Sequence, residues 1–108
     1  MVIAAARNER TGKRIMELLL ARDPNIEITE AVVTAAAGNE SNGKGIMELL
    51  LARDANIEIT EAVVTATARN ERAGKRIMEL LLVRDANIEI TEAVVTAAAL
   101  NESNGKGV

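Results

Sequence analysis

The sequence predicts an all-α protein, a small α-solenoid of stacked antiparallel helix pairs that are joined by extended Ile-Glu-Ile connectors. Three observations lead to this prediction. The chain of 108 residues repeats itself every 31 residues, and each copy contains two segments in which apolar residues recur at helical spacing. Apolar residues make up 48% of the chain and include no aromatic residue and no cysteine, so the predicted core consists of aliphatic and methionine side chains.

The repeat is marked by an asparagine that opens every copy, at Asn8, Asn39, Asn70 and Asn101. We divide the chain into one repeat domain, 1–108, whose parts are a partial copy 1–7, a first copy 8–38, a second copy 39–69, a third copy 70–100 and a partial copy 101–108. The first and third copies share NER and GKR, whereas the second copy and the tail share NESNGKG. This alternation indicates that a pair of copies is the older unit.

The first predicted helix of each copy is typified by GKRIMELLLARD. Its apolar residues form a wide arc, and we expect Leu50 and its equivalents Leu19 and Leu81 to be buried between copies. Such a wide apolar face needs a neighbouring copy to cover it, which is why the helices are predicted to stack. Before the helix, the hydrogen-bonding side chains at Thr11, Asn42 and Asn104 are candidate N-caps. Within it, Lys13–Glu17, Lys44–Glu48 and Lys75–Glu79 are candidate ion pairs at four-residue spacing.

The second predicted helix, TEAVVTAAA, begins at a threonine that can cap its free N–H groups: Thr29, Thr60 or Thr91. Between the two helices, Ile26 and Ile28 alternate as in a strand. Paired strands lie about 4.8 Å apart and packed helices about 8–10 Å apart, so we predict extended connectors rather than a sheet. The Asn42-Gly43 and Asn104-Gly105 pairs suggest turns in the left-handed conformation.

Composition excludes several kinds of function. The chain has no Cys and no His, which removes thiolate nucleophiles, imidazole bases and the usual zinc ligands. It has no aromatic residue on which bases could stack, and its net charge of −3 argues against nucleic-acid binding. No apolar run is long enough for a membrane span. We therefore expect a cytoplasmic protein with no cofactor and no metal site, and with no nucleic-acid or membrane partner.

The pattern ITEAVVTAAA…GK…IMELLLAR at residues 28–53 resembles an ankyrin repeat. That repeat also has a short helix opening with Thr, an Ala-rich end, an Asn-Gly-type turn and a helix ending in leucines. The chain departs from it at Thr29–Val32, where Thr-Glu-Ala-Val replaces Thr-Pro-Leu-His, and in its shorter connector. It is also similar to ankyrin-like repeats that occur in tandem in large fungal proteins, often beside nucleotide-binding signalling domains. The resemblance implies a recognition or scaffolding array.

Two patterns were weighed as signs of nucleotide binding or catalysis. The stretch Gly38–Gly45, GNESNGKG, fits the start of a phosphate-binding loop but has Gly45 where magnesium needs Ser or Thr. Carboxylates recur at one position per copy, as Glu17 and its equivalents do, whereas an acid and base pair needs two different environments. We therefore predict that the chain is not an enzyme.

The copies differ mainly in the segment between the second helix of one copy and the first helix of the next. This segment alternates between arginine-rich and arginine-free, and its arginines form two clusters, Arg7, Arg10 and Arg14, then Arg69, Arg72 and Arg76. We call these six residues the arginine rim. Exposed guanidinium groups in clusters favour contact with an anion or an acidic peptide. The alternative, that they serve solubility and have drifted, stays open.

The two ends of the array are predicted to expose apolar residues because each lacks a neighbouring copy. The residues concerned are Met16, Leu19 and Leu20 at one end and Val94, Val95, Ala98 and Leu100 at the other. Such ends favour a homo-oligomer, and we expect a closed dimer rather than head-to-tail stacking. The predicted function is a non-catalytic scaffold for protein–protein interaction, and the sequence is compatible with a fragment of a longer array. The alternatives are a self-assembly module or an engineered, consensus-like repeat protein without a native ligand.

Overall fold

The computed structural model describes residues 2–54, 56–85, 88 and 90–100. Within these ranges the chain is all-helical and contains no strand. The helices are α1 (Val2–Arg7), α2 (Gly12–Arg22), α3 (Glu30–Ala37), α4 (Gly43–Arg53), α5 (Glu61–Arg69), α6 (Gly74–Arg84) and α7 (Glu92–Leu100). The expected cap at Asn104 and turn at Asn104-Gly105 lie outside the described residues.

The short helices α3, α5 and α7 begin as predicted. The hydroxyl oxygen of Thr29 accepts a hydrogen bond of 3.3 Å from the N–H of Val32, and Thr60 and Thr91 make the same contact in the later copies. An extended threonine at this place satisfies one of the N–H groups that a helix start leaves free. The prediction of threonine caps is confirmed.

The connectors between helices form no strand where the structure describes them, also as predicted. The first begins at Asp23, whose backbone N–H bonds to the carbonyl oxygen of Leu19 and whose side chain accepts from the N–H of Asn25. After this turn Ile26 and Ile28 are half-buried and pack against the core. The connector therefore holds apolar side chains under the helices without forming a sheet.

The helices contact one another in two rows. The short helices α1, α3, α5 and α7 contact each other in that order, and the long helices α2, α4 and α6 form a second row. The closest partners within one unit are helices joined by the asparagine turn, such as α3 and α4, rather than helices joined by the connector. The two helices that pack most closely as a pair are therefore those on either side of an asparagine turn. The copies defined from the sequence instead grouped the two helices on either side of a connector.

The core follows from the apolar arcs of the long helices. Met16, Ile46, Met47, Leu50, Ile77 and Leu81 are fully buried. Alanines such as Ala36 are also buried, and their small side chains allow the short helices to approach their neighbours. Leu50 and Leu81 are buried as predicted, whereas Leu19 is half-buried because no copy covers its outer side. None of the described helices is long and apolar enough to cross a bilayer.

The asparagine turns and the candidate binding rim

The repeated asparagine connects each turn to the copy before it. The side-chain amide of Asn39 donates hydrogen bonds of 2.9 Å to the backbone oxygens of Ala6 and Asn8. Its side-chain oxygen accepts from the backbone N–H groups of Ser41 and Asn42, at 3.2 and 2.8 Å. All four hydrogen-bonding positions of the buried amide are thus satisfied.

The same arrangement recurs one copy later. Asn70 donates to the backbone oxygens of Ala37 and Asn39 at 2.9 and 3.1 Å, and it accepts from the N–H groups of Arg72 and Ala73. We call Asn8, Asn39 and Asn70 the asparagine ladder. These residues were recognised from the sequence as the repeated asparagine that opens each copy, but their bonds to the preceding copy were not predicted. The signal for them was present, since an asparagine stands at this position in every copy.

Two local predictions were wrong. Thr11 and Asn42 make no side-chain capping bond to their helices. The N–H of Lys13, which Thr11 could have capped, donates instead to the side-chain oxygen of Asn42, so that oxygen binds the preceding copy and not its own helix. No described residue has a positive φ, so Asn42-Gly43 is not a left-handed turn. Gly43 serves close packing instead, since a Cβ there would lie 2.8 Å from the backbone oxygen of Ala36.

The first junction, between the turns of the first and second copies, is filled by polar contacts. The Glu9 carboxylate accepts hydrogen bonds from the backbone N–H groups of Glu40 and Ser41, at 3.3 and 2.9 Å. Asn42 donates to the backbone oxygen of Glu9 at 2.6 Å and accepts from the N–H of Lys13 at 3.1 Å. The aliphatic chain of Lys13 lies against Gly45, so side chains occupy the space between these two turns.

The second junction, between the second and third copies, is open instead. Here Ala73 replaces the bridging asparagine and Arg76 replaces the glycine. A groove of about 310 Å³ results, and its lining residues are Glu40, Ser41, Lys44, Arg72, Ala73 and Arg76. We call it the second-junction groove. Three of its six lining residues are cationic and one is anionic, so it is suited to an anionic group.

All six residues of the arginine rim are exposed. Arg72 and Arg76 line the groove together, whereas Arg7, Arg10, Arg14 and Arg69 do not. Of the predicted Lys–Glu pairs, only Lys44–Glu48 comes within 4.0 Å, at 3.9 Å, and both side chains are exposed. Within the described ranges no ion pair neutralises a rim arginine.

A second set of arginines has a structural role that the sequence analysis did not find. The guanidinium of Arg53 donates a 2.9 Å hydrogen bond to the backbone oxygen of Leu20, near the end of the long helix before it. Arg84 makes the equivalent bond to Leu51, also at 2.9 Å. These arginines stand at the same place in every copy, so they join neighbouring copies and do not belong to the variable rim.

The predicted self-association residues divide into three groups by their exposure. Met16, Leu20 and Val94 are buried within the chain, because the neighbouring helices already cover them, so they cannot form an exposed end. Leu19 is half-buried. Val95, Ala98 and Leu100 are exposed. The α7 end therefore exposes three of the apolar residues that were expected there, whereas at the other end Ile3 and Leu18 are exposed instead of the predicted residues.

Among the residues that the structure describes, no three acidic residues come together as possible metal ligands. The stretch Gly38–Gly45, which resembles part of a phosphate-binding loop, covers the turn between α3 and α4 and the first three residues of α4.

An all-helical protein of tandem units tied together by an asparagine ladder is the class that these observations define. The chain belongs to the family described as a domain of unknown function, DUF7104, whose model matches residues 1–16, 18–47, 49–78 and 80–108. The last three matches begin 31 residues apart, which is the spacing of the ladder. No curated protein and no solved structure matches the chain.

Proposed function

We propose that the chain is a non-catalytic scaffold that binds a protein partner, with its helix pairs stacked as an ankyrin-like α-solenoid. The order of a threonine-capped short helix, an asparagine turn and a longer leucine-rich helix supports the ankyrin-like assignment. The two rows of contacting helices support the stacked arrangement. A cytoplasmic location stays a prediction from the sequence.

The observation that carries the proposal is the separation of constant from variable positions. Residues repeated in every copy, such as Met47 and Leu50, are fully buried, whereas the variable Arg72 and Arg76 are exposed beside a groove. A constant core preserves the stacking of copies, and a variable exposed surface can be adapted to a partner without loss of stability. The arginine rim is therefore the proposed recognition surface.

A peptide-display selection against the immobilised chain tests this function. The counter-selection uses a variant in which all six rim arginines are replaced by serine. We expect peptides that are enriched on the native chain and lost on the variant. Enriched peptides that bind both proteins equally would contradict the rim as the recognition surface, and no enrichment over an unrelated helical protein would contradict the binding function.

The second candidate function is self-assembly, and one observation favours it. Leu82 and Val95 are exposed at the α7 end, although their equivalents Leu51 and Val64 in the copy before are buried. A second copy of the chain is the partner whose surface fits this end, because stacked copies bury these positions within the chain. The association experiment described in the Discussion tests this function separately from peptide binding.

A further inference from the structure

We infer that the second-junction groove is the anion-recognition site of the rim and that it binds clustered carboxylates in an acidic segment of a partner protein. This inference rests on the proposed binding function and narrows it to one junction and one ligand chemistry. The rim contains two arginine clusters of similar composition, and only the contacts at the junctions distinguish them.

The structure separates the two clusters by what lies next to each. Arg72 and Arg76 belong to the copy that follows NESNGKG, and they share the groove with Lys44 of that preceding copy. Arg10 and Arg14 do not line this groove. A ligand at the second junction can therefore contact cations from two copies at once.

The first junction shows why the groove occurs where it does. There Asn42 bridges the two turns, and Gly45 leaves room for the chain of Lys13. At the second junction neither filling group is present, because alanine and arginine stand at those positions. Arginine-rich and arginine-free copies alternate along the chain, so filled and open junctions alternate as well. A longer array of the same alternating copies would therefore have such a groove at every second junction.

The chemistry of the lining favours a carboxylate-bearing segment. Guanidinium groups bind carboxylates through paired, charge-assisted hydrogen bonds, and Lys44 adds a third cation. Glu40 is the one carboxylate in the lining, and Glu48 pairs with Lys44 at 3.9 Å, so the cations remain in excess. The volume of about 310 Å³ lies at the lower end of ligand pockets, which span about 300–1,000 Å³, and this size suits one or two acidic side chains.

The test compares two matched variants of the whole chain. The groove variant carries Arg72→Ser, Ala73→Asn and Arg76→Gly, which are the residues that the second copy has at the same positions. These substitutions are compatible with folding because Ser41, Asn42 and Gly45 already occupy equivalent places in the structure. The introduced asparagine is expected to bridge the turns and fill the groove.

The control variant makes the same exchange in the first copy, with Arg10→Ser, Thr11→Asn and Arg14→Gly. It removes the same two positive charges from side chains that do not line the groove. Circular dichroism and urea unfolding establish that both variants fold. The probe is a fluorescent peptide of alternating Asp and Gly with blocked ends, and its twin has Asn in place of Asp.

We expect the native chain and the control variant to bind the Asp peptide with affinities within about twofold of each other, and the groove variant to lose about tenfold or more. Equal losses in both variants would overturn the groove as the site while leaving the rim as a binding surface. A native chain that binds the Asp and Asn peptides equally would overturn carboxylate recognition, whereas the peptide-display selection would still decide the binding function.

Inorganic phosphate provides the last arm of the experiment. We expect phosphate and acetate, added at equal ionic strength, to displace the Asp peptide to similar small extents through screening alone. Displacement by phosphate at concentrations where acetate has no effect would assign the groove to a phosphate group and would overturn the acidic segment as its ligand.

Discussion

The side-chain amide of Asn39 donates a hydrogen bond of 2.9 Å to the backbone oxygen of Ala6, which lies 33 residues earlier in the chain. The contact is buried, and the same side chain accepts two bonds within its own turn. One residue therefore shapes a turn and joins it to the copy before. Because backbone oxygens are the partners, the bond depends on the positions of the copies and not on which side chains the earlier copy carries.

Replacement of Asn39 by alanine should cost about 2–4 kcal/mol of unfolding free energy, because it leaves buried carbonyl oxygens and N–H groups without partners. Asn8 is the matched control. It makes the same bonds within its turn, to the N–H groups of Arg10 and Thr11, and these groups are exposed. Asn8→Ala should therefore cost about 1 kcal/mol or less. Urea unfolding measures both values, and similar costs would mean that the bonds between copies contribute little.

Gly43→Ala should destabilise the chain by about 1–3 kcal/mol, although alanine is the better helix former. The added methyl would lie 2.8 Å from the backbone oxygen of Ala36 and 3.0 Å from the side chain of Ile77, in a place where the copies meet. Gly45→Ala is the control, because its added methyl would meet only the flexible chain of Lys13. That variant should be neutral or more stable by up to about 1 kcal/mol. A neutral Gly43→Ala variant in thermal or urea unfolding would contradict the close approach.

Leu50→Ala should cost about 2–5 kcal/mol, because Leu50 is fully buried between neighbouring copies and its removal leaves a cavity. Leu19 stands at the equivalent position of the first copy and is only half-buried. Leu19→Ala should therefore cost about half as much, since water can reach part of the vacated space. Denaturant unfolding compares them directly. A cost under about 0.5 kcal/mol for Leu50→Ala would contradict its burial.

Replacing Arg10, Arg14, Arg72 and Arg76 with serine should change stability by less than about 1 kcal/mol, because all four side chains are exposed and no ion pair among the described residues holds them. The comparison is Arg53→Ser, which loses the bond to the backbone oxygen of Leu20 and should alone cost about 1 kcal/mol. If urea unfolding showed the fourfold variant to be several times more destabilised than Arg53→Ser, the rim arginines would contribute to stability and the prediction would be wrong.

Local features of the fold could be read from the sequence, whereas contacts between copies could not. The cap at Thr29 depends on residues three positions apart, and the burial of Leu50 follows from apolar spacing. The side chains of Asn39 and Arg53 donate hydrogen bonds to backbone oxygens of the preceding copy. Every residue has a backbone oxygen, so the sequence does not indicate which one will be the acceptor. Asn42 looked like a cap because its type suits one, but its real partners lie across the first junction.

The exposed arginines of the candidate site could be predicted from the sequence, whereas the groove beside them could not, because it depends on contacts between copies. Variation among the copies pointed to Arg72 and Arg76 as exposed residues, and they are exposed. The groove beside them depends on Ala73, whose short side chain leaves the second junction unfilled. An alanine in a turn suggests no function in a sequence. Its effect appears only when Asn42 is seen bridging the first junction.

The α7 end of the chain should mediate association at high concentration. Leu82 is 42% exposed and Val95 is 55% exposed, whereas Leu51 and Val64 at the equivalent positions are 7% and 1% exposed. The next copy of an array would cover these side chains, so the isolated chain presents a face already shaped for another copy. Light scattering over a range of concentrations should show a mass above the monomer, and Leu82→Glu with Val95→Glu should restore the monomer.

Val83→Glu is the control for this association, because Val83 is 89% exposed and its equivalents Ala21 and Ala52 are exposed as well. It adds a charge to α6 at a position that stacked copies leave open to water, so association should persist. A native chain that stays monomeric at every concentration would refute association through this end. Open filaments would indicate head-to-tail stacking, in which the α7 end meets the α2 end of the next chain, whereas a mass that stops at twice the monomer would indicate the closed dimer. Loss of association in the Val83→Glu variant would mean that added charge alone separates the chains, and the stacking face would then have no special part in it.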